Sequence, residues 1–130
     1  MLHLQRLSIQ GIRSFNPDEP TEIKFFPLTI FLGPNGAGKT TIIESLKYAL
    51  TGSLPPNCNN GKRFVYDVQY AKRSMIHGQI RLKFIDTQNK STVITRNLQS
   101  FLKMQKTKPT IKFRQRNAII SKDKNSIDQK

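Results

Sequence analysis

Cysteine occurs once in these 130 residues, and Asp and Glu together number 8 against 22 Lys and Arg. A single thiol, Cys58, excludes an internal disulfide, and without a second cysteine or a nearby histidine pair there is no zinc-ligand spacing. No apolar run approaches the roughly 18 residues a membrane-spanning helix needs. The opening Met1-Leu2-His3-Leu4-Gln5-Arg6 has none of the basic, apolar and small-residue succession of a secretory leader, so the chain is expected to stay inside the cell. There is no internal repeat and no heptad pattern.

What is present is a glycine, four residues, then glycine, lysine and threonine: Gly33-Pro34-Asn35-Gly36-Ala37-Gly38-Lys39-Thr40. The pattern specifies a cradle for a nucleoside triphosphate. Gly33, Gly36 and Gly38 let the backbone curl so that successive N–H groups converge on phosphate oxygens. The context is the one the mechanism needs. Leu28-Thr29-Ile30-Phe31-Leu32 reads as a buried strand feeding the loop, and Ile42, Ile43, Leu46, Ala49 and Leu50 recur at helical spacing until Gly52, a residue suited to end a helix. The helix N-terminus adds positive potential. Lys39 is expected on the β- and γ-phosphates, the Thr40 hydroxyl on Mg²⁺, and the Thr41 hydroxyl on the α-phosphate.

Charge is distributed unevenly. Through residue 60 there are five Lys and Arg against four Asp and Glu; from residue 61 onward there are seventeen against four. The nucleotide loop therefore does not account for the basicity, and a polyanion, DNA or RNA, is the expected partner. The strands implied by alternation are Leu2 to Gln10, Thr21 to Phe26, Gln79 to Ile85 and Thr92 to Arg96, the last two joined by the polar turn 86–90. Arg81, Lys83 and Arg96 are expected to share one outward face and grip phosphates without reading bases. A further strand pair is expected at Phe101 to Gln105 and Thr110 to Arg116. Residues 52–63, rich in proline and asparagine, read as a loop, and Ser121 to Lys130 as a polar tail without structure.

The chain has neither the aspartate-x-x-glycine nor the asparagine-lysine-x-aspartate motif of a GTP switch. After residue 52 it is strand-rich rather than helix-rich, unlike a small-molecule kinase. A hydrolytic site also needs an apolar strand ending in an acid. The nearest match, Leu82-Lys83-Phe84-Ile85-Asp86, is broken by lysine, and Asp86 reads as a turn residue.

Ile9-Gln10-Gly11-Ile12-Arg13-Ser14-Phe15, the run from Phe26 through the phosphate loop to Glu44, Tyr48 to Gly52 with Pro55-Pro56, and Phe64-Val65-Tyr66-Asp67 together resemble a known family. It is the SMC-related DNA double-strand-break repair ATPases of eukaryotes, the coiled-coil subunits of the MRN/MRX complex. The resemblance covers roughly residues 4–105. It implies an α/β P-loop NTPase fold: the N-terminal lobe of an ABC/SMC-type ATPase head with an antiparallel β subdomain, incomplete by itself. Residues 1–106 would form that lobe, and 107–130 a loosely matching basic strand and flexible tail. By resemblance, Arg13, Asn35, Gly36, Gly38, Lys39, Thr40, Thr41, Val65 and Asp67 bind ATP, with Lys39 and Thr40 acting in hydrolysis and Thr40 holding Mg²⁺.

The family's magnesium-binding glutamine, coiled-coil arms, zinc hook, signature motif and catalytic acidic pair have no counterparts here. Turnover is therefore expected to need a C-terminal lobe of the same ATPase and a second ATPase head. An Mre-family nuclease and double-stranded DNA are the further partners implied, in the nucleus and on the chromosome, with no membrane. The alternative is a truncated, non-catalytic DNA-binding or interaction module of the same fold.

Overall fold

The computed structural model describes residues 3–25, 39–56, 58–105 and 108–122. Eight elements follow along the chain: β1 (His3–Gln10), β2 (Thr21–Lys24), α1 (Lys39–Thr51), α2 (Val68–Ala71), β3 (Met75–Ile85), β4 (Ser91–Gln105), β5 (Lys108–Gln115) and β6 (Ile119–Lys122). The strands form one antiparallel sheet in the order β2-β1-β3-β4-β5, with β6 also on β4. The strand expected at 28–32 and the phosphate loop up to Gly38 lie outside the described residues.

Alternation along β3 sets the two faces of the sheet. Ile76, Ile80, Leu82 and Phe84 are buried, while Met75, His77, Arg81 and Lys83 between them are exposed. Register carries this division to the neighbours: Leu7 pairs with Leu82 and Ile9 with Ile80 on one side, and Ile80 with Arg96 and Leu82 with Ile94 on the other. Directly opposite residues project from the same face, so one inner face collects Leu7, Ile9, Ile80, Leu82, Ile94 and Leu98. Each fully buried Leu or Ile contributes about 1.5–3 kcal/mol of transfer free energy.

Helix α1 covers part of this inner face with Thr41, Ser45, Tyr48 and Ala49, a spacing of four, three and one that keeps one stripe toward the sheet. The expected apolar stripe is thus partly displaced. Ile42 and Leu46 pack at the margin of the core, but Ile43 and Leu50 are 60% and 40% exposed. Small polar residues permit the closest helix–sheet approach, which turns the larger aliphatics aside. Gly52 ends α1 as expected: its φ is +77°, and its N–H donates to the Tyr48 carbonyl at 2.7 Å.

Three expectations are revised. Thr92 to Arg96 and Phe101 to Gln105 are not separate strands but parts of the single 15-residue β4, because pairing with β3 runs without a register shift from Ile85↔Ser91 to Met75↔Phe101. Ser121 and Lys122 are not unstructured: β6 adds to β4 through Thr92↔Lys122 and Val93↔Ser121. The second strand ends at Lys24, and Phe26 lies outside the described residues. The turn at 86–90 is confirmed in detail. The Asp86 carboxylate accepts from the N–H groups of Gln88 and Lys90, each at 2.9 Å, and Asn89 adopts φ +62°.

Candidate nucleotide site and basic face

Lys39 and Thr40, the last two residues of the phosphate-loop motif, are the first two of α1. The last two motif residues thus stand in the first turn of the described helix, the end that carries the positive pole of its dipole. Thr40 is exposed and Thr41 buried. Asn35, Gly36 and Gly38 belong to the part of the loop outside the described residues.

Immediately after β1 the backbone is fixed by an unusual pair of conformations, Gly11 at φ +65° and Arg13 at φ +52°. For a non-glycine residue the left-handed region costs on the order of 1 kcal/mol and persists only where surrounding structure enforces it. The enforcement is visible. Arg13 N donates to the Phe64 carbonyl at 2.8 Å, Tyr66 N to the Gly11 carbonyl at 2.8 Å, and Ile12 bridges Val65. The Arg13-Ser14-Phe15 and Phe64-Val65-Tyr66-Asp67 segments, distant in sequence, are thereby laid against each other.

The Arg13 side chain ties both to α1. Its Nη2 contacts Glu44 Oε2 at 3.2 Å and Oε1 at 3.3 Å, its Nη1 donates to the Arg63 carbonyl at 3.2 Å, and its guanidinium lies 5.8 Å from the Phe64 ring centroid. Arg13, Val65 and Asp67 line one cleft of about 830 Å³, with Lys62, Arg63 and Ser100 among its other walls. Lys39, Thr40 and Thr41 do not line it. The structure therefore gathers three of the expected nucleotide contacts into one cavity and leaves those on α1 outside it. Asp67 has a local task that the sequence reading did not assign. It caps α2, its carboxylate accepting from Gln69 N at 2.9 Å, the usual work of an aspartate just before a short helix.

The basic face divides differently from expectation. Arg81 and Lys83 are exposed on the outer face, whereas Arg96, directly opposite Ile80, lies on the inner one. There Arg96 Nε donates to the Ala49 carbonyl at 3.0 Å, and the guanidinium sits 5.4 Å from the Tyr48 ring centroid. Arg96 therefore secures the C-terminus of α1 and does not share a face with Arg81 and Lys83. The signal was available: within Thr92-Val93-Ile94-Thr95-Arg96, arginine has the same parity as Ile94.

Register brings to the outer face other cations that the sequence reading did not single out. Arg6 pairs with Lys24 and with Lys83, so all three project together, and Lys112 and Arg114, opposite Phe101 and Gln99, continue the face. Among the described residues the one acid placed there by pairing is Glu22, opposite Ser8, and its carboxylate is 3.9 Å from Arg6 Nη1. Gln79 bridges to Asn97 at 3.0 Å within this polar surface.

Among the described residues no group of three or more His, Cys, Asp or Glu side chains is placed to hold a metal ion. Asp86 is engaged within its own turn: hydrogen bonds from the Lys90 and Gln88 backbones hold its carboxyl below the ordinary value, with Lys122 and Lys90 adding to the effect. No described helix is long and apolar enough to cross a membrane.

Residues 6–130 match the AAA domain family. DNA repair protein RAD50 of Dictyostelium discoideum is 47% identical over 107 residues, covering 82% of this chain and 8% of that protein. DNA repair protein RAD50 of Saccharomyces cerevisiae is 46% identical over 113 residues, covering 86% of this chain and 8% of its own length. The chain thus spans less than a tenth of the relatives it matches. Among solved structures, a chain from a study of ATP-driven dimerization and DNA stimulated activation of SMC ATPases superposes with a TM-score of 0.59 at 15% identity, over 88% of this chain and 72% of the other. At that identity the likeness concerns the fold alone.

Proposed function

The chain belongs to the AAA domain family and resembles the eukaryotic RAD50-type repair ATPases, and on that premise we propose that it is the ATP-binding N-terminal lobe of a DNA double-strand-break repair ATPase. The observation that carries the reading is that Lys39 and Thr40, the last two residues of the phosphate-loop motif, are the first two residues of α1. The donor set suits Mg²⁺-ATP: a loop of glycine N–H groups, an ammonium at Lys39 and an exposed hydroxyl at Thr40. Mg²⁺ held there would supply positive charge to offset that of the phosphates. The protein's own part is to hold the phosphates on α1, with Thr40 as the Mg²⁺ ligand and Thr41 toward the α-phosphate. Arg13, Val65 and Asp67 would meet the nucleoside at the edge of the cleft, and Arg13, held by Glu44, would couple that edge to the helix.

Hydrolysis on this reading requires a C-terminal lobe and a second head, because an acid poised to polarise water is lacking among the described residues. Exposed Ile43 and Leu50 on α1 are consistent with a surface that such a lobe covers. In the full assembly ATP binding and hydrolysis would govern DNA tethering and an Mre-family nuclease in the nucleus. Double-stranded DNA would lie on the outer sheet face, its phosphates on Arg6, Arg81 and Lys83.

The decisive experiment is equilibrium binding of a fluorescent ATP analogue with Mg²⁺, wild type against Lys39→Ala, with phosphate release recorded in the same samples. Lys39-dependent binding without turnover, and turnover once a C-terminal lobe is added, is the expected result. Binding indifferent to Lys39 would refute the nucleotide assignment and leave the non-catalytic DNA-binding or interaction module.

A further inference from the structure

The outer face changes character toward the end of the sheet where β4 pairs with β5. Near Arg6, Arg81 and Lys83 it holds charge without aromatic surface. Near Phe101 it combines the two. Phe101 is only partly buried although its side chain lies on the outer face, and its register partners are Met75 on β3 and Lys112 on β5. The Arg114 guanidinium lies 5.3 Å from the Phe101 ring centroid. Phe101, Lys103, Lys112 and Arg114 together line a shallow groove of about 500 Å³, and Lys103 is exposed beside it.

An aromatic ring with a guanidinium 5.3 Å from its centroid and two lysines lining the same groove has the elements of a platform for a single nucleobase. Bases stack on aromatic and guanidinium planes whatever their sequence, while flanking lysines neutralise the adjoining phosphates. A continuous duplex cannot use such a platform, because its bases are already stacked within the helix. The ring is therefore useful to DNA only where a base is unpaired.

The distances fit a junction between the two kinds of DNA. Along β3, Arg81 and the Phe101 partner Met75 are six residues apart, or roughly 20 Å at about 3.3 Å per residue. That is about six nucleotide steps of a strand rising about 3.4 Å per step. A duplex that lies on Arg6, Arg81 and Lys83 and ends about six steps further along would thus deliver its first unpaired nucleotide to Phe101.

We infer that the β4–β5 end of the outer face is a stacking subsite for an unpaired nucleotide of a DNA end, with Phe101 and Arg114 holding the base and Lys103 and Lys112 the flanking phosphates. The inference rests on the DNA-binding reading of the outer face and adds selectivity for overhangs over blunt ends.

The test uses the full 130-residue chain with three probes at low salt: a blunt duplex, the same duplex with a short 3′ thymine overhang, and that overhang carrying one 2-aminopurine. Wild type should prefer the overhang about five- to tenfold and change the 2-aminopurine emission. Phe101→Leu, which keeps apolar volume but removes the ring, should abolish the preference and the fluorescence change while leaving blunt-duplex affinity within about twofold. Phe101→Trp should retain both, which a merely structural role for Phe101 would not require. Equal affinity of wild type for both DNA ends, or overhang preference persisting in Phe101→Leu, overturns the subsite. Arg81→Glu with Lys83→Glu should weaken both DNAs alike. If wild type binds no duplex at all, the DNA reading of the face fails with it, a result distinct from duplex binding without end preference.

Discussion

Replacing Arg96 tests whether an arginine on the core side of a sheet supports the helix that carries the nucleotide loop. Its Nε bond to the Ala49 carbonyl is charge-assisted and made to one of the last carbonyls of α1, which have no partner within the helix. Such bonds contribute about 1.5–3 kcal/mol. Its position over the Tyr48 ring adds about 0.5–2 kcal/mol in a partly desolvated setting, and a cation at a helix C-terminus about 0.3–1 kcal/mol. These contributions share one guanidinium and do not sum fully, so Arg96→Met, which keeps the apolar stem, should destabilise the chain by about 2–3 kcal/mol. Chemical denaturation followed by far-ultraviolet circular dichroism would measure it. A double-mutant cycle with Tyr48→Leu isolates the ring contact and should give a coupling near 1 kcal/mol. A loss below about 0.5 kcal/mol for Arg96→Met, or no coupling, would refute the argument and return Arg96 to the status of a solvated surface charge.

Gly11→Ala should destabilise by more than about 3 kcal/mol in the same assay, because a Cβ at φ +65° would overlap the His77 carbonyl oxygen, a backbone atom that cannot step aside; a loss under 1 kcal/mol would contradict the described turn. Ser45 Oγ and Thr92 Oγ1 are buried without hydrogen-bond partners among the described residues, so Ser45→Ala and Thr92→Val should be neutral or stabilising by up to about 1 kcal/mol, and a clear loss at either would reveal a missing partner. The Arg73 hydrogen bond at 2.7 Å holds the Asp18 carboxyl below its ordinary 3.8. A carboxyl with a lowered folded pKa contributes stability above the unfolded value and loses it as pH falls through the folded one. The denaturation midpoint should therefore drop below about pH 4, less steeply in an Asp18→Asn, Asp86→Asn variant; identical slopes would show that these contacts do not persist in solution.

Local pattern was enough where one chemistry dominates a short segment. The β3–β4 hairpin was legible because Gln79 to Phe84 alternates strictly and Asp86 to Lys90 offers the turn its side-chain acceptor. That a helix follows the loop motif and ends at Gly52 was legible from the apolar spacing and from the conformational freedom of glycine. The length of β4 was missed because Asn97, Gln99 and Ser100 look like loop residues in isolation; they are strand residues because neighbours on both sides satisfy their backbone. The small helix α2 was missed because four residues carry too little periodicity, although Asp67 was its cap.

By itself the sequence determined the phosphate-loop chemistry, the alternation that divides β3 into an apolar and a basic face, and the family resemblance, since each depends on residues a few positions apart. Tertiary structure decided which cations act together. Arg6, Lys24, Lys83, Lys112 and Arg114 come from four strands and meet only through register, whereas Arg96, which looked like one of them, is turned by its pairing with Ile80 toward α1. Facing depends on partners far along the chain, and a shift of one residue in pairing would exchange the two faces.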